Sequence, residues 1–123
     1  MWSVDPDDQY LRQSRYYEKK RPRQLEAVLL NLDKVKKALD AGARPRDVKA
    51  GFLHPEPCGV LAVTEQGAVK PRPKATRLYI YPEEGEMVLH LITLGDKNTQ
   101  KDDIAYCTQF VETQRRNDDN QKV

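Results

Sequence analysis

Leu25, Val28, Leu29, Leu32, Val35 and Leu39 recur at i, i+3, i+4, i+7 spacing, and no other pattern in the sequence constrains its fold as strongly. The stripe commits this stretch to a helix with one apolar side, leaving Lys34, Lys36 and Lys37 mostly off it. Gly42 is a natural stop at the helix C-terminus. Upstream, a helix is expected over 7–20, with Asp7 and Asp8 at its N-terminus and Tyr10, Leu11 and Tyr17 on its stripe. Pro22 ends that helix or opens the next. Two helices joined this closely form an antiparallel hairpin, and its shared apolar side must be covered.

The rest of the chain supplies a sheet. Trp2 and Val4 suit one face of a short first strand, which Asp5-Pro6 should break. Residues 44–57 read as a loop rich in Pro and Gly. A buried strand follows from Gly59 through Val60, Leu61, Ala62 and Val63. Residues 67–75 contain KPRPK, whose prolines preclude a central strand. TRLYIY alternates strictly, with Leu78 and Ile80 on one face and Arg77, Tyr79 and Tyr81 on the other. Residues 82–85 turn the chain, and EMVLHLITL returns as the partner strand until Gly95-Asp96. A last helix is expected from Thr99 or Gln100 to Arg116, with Ile104, Cys107 and Val111 as its stripe, and residues 117–123 should fray. The order is β-α-α-β-β-β-α, an α+β fold in which an antiparallel sheet packs on the helix hairpin and the last helix.

A chain of 123 residues accommodates one such domain, with 1–42 as strand and hairpin and 59–116 as meander and helix. No apolar run approaches the roughly 20 residues of a membrane span, so no membrane contact is expected. The first ten residues lack the basic-then-apolar order of a secretion signal. Cys58 and Cys107 show neither CxxC nor Cys/His ligand spacing. No metal or other cofactor is expected, and a reducing cytoplasm suits the chain.

The net charge of +2 conceals a segregated pattern. Between Glu65 and Glu83 there is no acidic residue, yet Lys70, Arg72, Lys74 and Arg77 all fall there. Such a segment attracts a polyanion, or is simply a solvated loop. Arg77 shares its face with Tyr79 and Tyr81, pairing a guanidinium that forks onto phosphate with rings that can stack on unpaired bases. Lys97 and Lys101 flank the start of the last helix, where free N–H groups also favour phosphate. No Walker loop, GxGxxG, GxSxG or HExxH motif occurs. Cys107 reads as core, His54 as a loop residue without partner, and His90 as a core or second-face residue of its strand.

The run RLYIYPEEGEMVLHLITLGDKNTQKDDIAYC resembles the C-terminal half of the RelE/HigB-like toxins of toxin–antitoxin pairs. An Arg-bearing strand leads there through a turn to an "LLH"-like strand, a Lys/Thr/Gln loop and an acid-started helix. Leu89-His90, Lys97, Thr99-Gln100 and Asp103-Ile104 follow that order. The resemblance implies a RelE-like fold and a metal-independent endonuclease that cuts messenger RNA on the ribosome, silenced by a cognate antitoxin. It implies that Arg77 contacts the scissile phosphate and that Lys97 assists. Lys70, Arg72 and Lys74 match the family's basic segment before that strand, with Tyr81 and Lys101 as further RNA contacts. Several members carry a His or Tyr near the C-terminus as acid or base. None occurs here after Tyr106, so Tyr79, Tyr81 or His90 would have to substitute. The same fold also hosts gyrase-directed and inert members.

Overall fold

A computed structural model of the protein describes residues 1–67 and 75–121, with side chains as far as residue 118. Strand β1 (Ser3–Pro6) leads into helices α1 (Asp8–Lys20) and α2 (Pro22–Asp40). Strands β2 (Leu53–Pro55), β3 (Leu61–Thr64), β4 (Arg77–Glu83) and β5 (Val88–Gly95) follow, and helix α3 (Gln100–Gln121) closes the described chain. The five strands form one mixed sheet in the order β1-β5-β4-β3-β2. The α+β architecture is the expected one, with the hairpin on one face and α3 on the other.

The helices form where the sequence places their signals. Asp7 caps α1 by accepting from the Gln9 backbone N–H at 3.2 Å. Pro22 opens α2, where its missing N–H has no helical partner to lose. Leu25, Val28, Leu32, Val35 and Leu39 are buried against Leu78, Ile80, Leu89 and Leu91 of the sheet. Leu11 and Leu29 of the two stripes remain partly exposed, because each lies at the margin of its apolar arc. On the opposite face Cys107 and Val111 of α3 bury Ala62, Tyr79 and Ile92. Between β4 and β5 the pairing slips, from Tyr79 opposite Thr93 to Ile80 opposite Leu91. The unmatched Ile92 turns toward α3, and the reset alternation lets both Leu91 and Leu94 reach the hairpin side.

Five expectations need correction. The sheet is not a simple antiparallel meander, since β1 pairs parallel to β5, with Ser3 opposite Val88. Asp5-Pro6 does not break β1; Pro6 ends it on the sheet edge, where the missing N–H costs no ladder bond. Trp2 is buried but Val4 is 40% exposed, because this edge strand has a neighbouring strand on one side only. The stretch 44–57 is not wholly loop, for Leu53–Pro55 pairs antiparallel with β3 as the far edge strand. The tail expected to fray from Asn117 continues α3 as far as Gln121.

Candidate functional site

Arg77 opens β4 on the face covered by α3, and three-quarters of its side chain is buried. Its Nη1 lies 3.9 Å from Oε1 of Glu56, whose carboxylate is more deeply covered. The chain after β2 brings Glu56 there. The Glu56 N–H donates to the Val60 carbonyl at 2.8 Å, closing a tight turn in which Cys58 and Gly59 adopt φ of 64° and 80°. A left-handed cysteine is uncommon and strained, so the surrounding packing holds this turn in place.

Tyr79 lies two residues along the same face and is fully buried. Its hydroxyl and the Arg77 Nε are both enclosed and have no hydrogen-bond partner among the described residues. Burial pushes the Tyr79 phenol far up, the Asp103 charge adds to the rise and the Arg77 charge opposes it. Asp103 closes this region from α3. Burial raises its carboxyl, while the Thr99 hydroxyl, donating at 2.7 Å, works in the other direction. Gly95 lies beneath that pair, and a Cβ there would collide with both Asp103 and Thr99. Arg77, Glu56, Tyr79 and Asp103 therefore form a half-enclosed polar cluster with unused hydrogen-bonding capacity inside an otherwise apolar layer.

A second polar group occupies the other end of β4 and β5. His90 Nε2 lies 3.0 Å from Glu83 Oε2, and its Nδ1 lies 3.8 Å from Asp5. The imidazole is stacked on Tyr81 and meets the edge of Phe110 of α3.

The structure brings together some of the residues named from the sequence and separates others. Arg77 and Tyr79 adjoin, as their spacing requires. The open stacking surface expected of Tyr79 is absent, because α3 covers the ring and leaves only its hydroxyl near the charged groups. Tyr81 is half-buried and stacks on His90. Lys97 lies exposed in the turn after β5, at the end of the sheet where Arg77 pairs with Gly95. Lys101 is exposed in the first turn of α3. Lys70, Arg72 and Lys74 lie outside the described residues. Glu56 went unrecognised because nothing in its HPEP surroundings marks a carboxylate that meets a strand arginine 21 positions later.

Among the described residues no group of three or more His, Cys, Asp or Glu side chains is placed to hold a metal ion. Nor is any helix among them long and apolar enough to cross a membrane.

No protein-family model matches the chain, and no curated protein does. A solved structure does match it: a metal-bound toxin from Helicobacter pylori, at a TM-score of 0.52 over 80% of this chain and 97% of that one. The chain shares its fold with a toxin. At 17% identity the likeness extends to the backbone arrangement alone, and the side chains of the site must be argued on their own chemistry.

Proposed function

We propose that the protein is a toxin of a toxin–antitoxin pair, of the RelE/HigB-like kind, that cleaves messenger RNA on the ribosome without a metal and works in the cytoplasm. The observation that carries this reading is the half-enclosed Arg77–Glu56 pair, with the Arg77 Nε and the Tyr79 hydroxyl left unpaired beside it. A cation and carboxylate half-enclosed together suit phosphodiester transesterification better than they suit stability. Glu56 takes the proton of the 2′-hydroxyl as its oxygen bonds to phosphorus. Arg77 holds the charge that develops on the phosphoryl oxygens. The bond from phosphorus to the 5′-oxygen breaks, and Lys97 delivers the proton to that leaving oxygen. The products are a 2′,3′-cyclic phosphate and a free 5′-hydroxyl. Tyr79 acts here as a positioning residue from beneath. Lys70, Arg72, Lys74 and Lys101 supply charge for the RNA backbone. A cognate antitoxin silences the toxin by covering the same cations.

Induced expression tests the reading. Wild-type chain should arrest growth and fragment mRNA, while Arg77→Ala and Glu56→Gln should each relieve both effects with the fold retained. Arrest with intact mRNA would instead favour a partner-blocking protein of the same fold, and quiet overexpression would remove the toxin reading altogether.

A further inference from the structure

A cavity of about 560 Å³ opens beside Glu56, between the 45–50 segment and the β2–β3–β4 edge of the sheet. That volume falls within the range of roughly 300–1,000 Å³ found for small-molecule sites. Its walls are apolar, from Val48, Leu53, Val60 and Leu61, and Tyr81 contributes an aromatic edge. Arg46, Lys49 and Arg115 also line it, and all three are solvent-exposed residues. Glu56 belongs both to this cavity and to the Arg77 pair, so the two features are continuous.

An apolar slot with three exposed cations and one exposed carboxylate, Glu84, around it, and a catalytic-type pair at one wall, has a specific chemical complement. We infer that the cavity receives the unstacked base of a single-stranded RNA nucleotide adjoining the phosphate held at Arg77. Arg46, Lys49 and Arg115 take the flanking phosphates. This inference rests on the RNA-directed reading of the Arg77–Glu56 site and deepens it by locating where a base is read. A flat π-face loses water on entering the slot, while the backbone stays among cations at the surface. Duplex RNA is excluded, because a paired base cannot leave its stack without the cost of unpairing.

The test uses the full chain and a five-nucleotide single-stranded RNA blocked at every 2′ position, so that it binds without being cut. Fluorescence anisotropy compares this RNA with the same strand carrying one abasic site. Filling the cavity with Ala50→Phe should weaken the intact strand about tenfold and narrow its advantage over the abasic strand. Arg115→Ala, at an exposed helix position, should weaken both strands similarly and reduce the salt dependence. Mononucleotides added to the unchanged protein should shift the amide resonances of residues 46–61 and 81–84, a readout that needs no variant to fold. If RNA binds but those amides stay still and the abasic strand binds as well as the intact one, the base pocket is wrong while the Arg77 site stands. If no RNA binds at all, the base pocket is wrong, and arrest with mRNA fragmentation on induced expression decides the Arg77 reading separately.

Discussion

His90 and Glu83 meet at 3.0 Å across the β4–β5 hairpin, with the imidazole almost wholly buried and the carboxylate nearly so. Burial raises the Glu83 carboxyl above its usual range, the His90 hydrogen bond lowers it, and Asp118 at the far end of α3 raises it again. The folded state thus holds this proton more tightly than the unfolded chain does. Its contribution is complete below the unfolded carboxyl range, about pH 4.3, and fades as pH rises through the higher folded value. Glu83→Gln, which cannot ionise, should therefore gain stability relative to wild type between pH 4 and pH 7. Urea midpoints at the two values check this, and a constant difference between them would refute it.

Gly95→Ala should destabilise the protein by about 1–3 kcal/mol, since the new methyl group drives into the Asp103 carboxylate and Thr99 hydroxyl. Gly85→Ala, which meets nothing within 4 Å, should stay within about 0.5 kcal/mol of wild type. Chemical denaturation of the two variants side by side separates steric collision from any general effect of losing a glycine.

The two cysteines should differ sharply toward iodoacetamide. Cys107 is buried under α3, and desolvation, with help from Asp103, pushes its thiol up to about 12. The thiolate that reacts is then almost absent at pH 8. Cys58 is partly exposed in its strained turn and should label in the native state. Mass spectrometry should find one modified thiol before denaturant and two after it. Rapid native labelling of Cys107 would mean that α3 lifts from the sheet.

Changing Lys70, Arg72 and Lys74 together to Gln should weaken single-stranded RNA binding and flatten its salt dependence. At about 0.7 per neutralised phosphate, the log–log slope should shrink by roughly 2. Thermal stability should hardly move. An unchanged slope would assign these side chains to ordinary solvation.

The elements that the sequence reveals best are those whose apolar period is set by a single neighbour. The α2 stripe and the Leu78/Ile80 alternation each face one partner layer, and both are found where periodicity puts them. Cys107 and Val111 likewise seat α3 as expected. β2 escaped notice because three residues containing a proline have no period to read, and only β3 makes them a strand. The parallel direction of β1 was hidden for a related reason, since nothing local to Ser3–Pro6 encodes which strand it will join. At the site, Arg77 was legible through its basic, alternating surroundings. Glu56 and Glu83 were not, because each acquires its role from a partner brought close only by the finished sheet.

The pairing of Ser3 with Val88 spans 85 positions of the chain. During synthesis the first strand and the α1–α2 hairpin emerge long before β5 exists to accept them. Their apolar sides are fully covered only once β5 brings Leu89, Leu91 and Leu94 to join β3 and β4. Closing so long a loop makes folding slow for a protein of this size. No shortened product that lacks β5 can assemble the sheet end where Arg77 faces Gly95. Glu56, Arg77 and Asp103 are therefore gathered into one cluster only after β5 has joined the sheet and carried the chain across to α3.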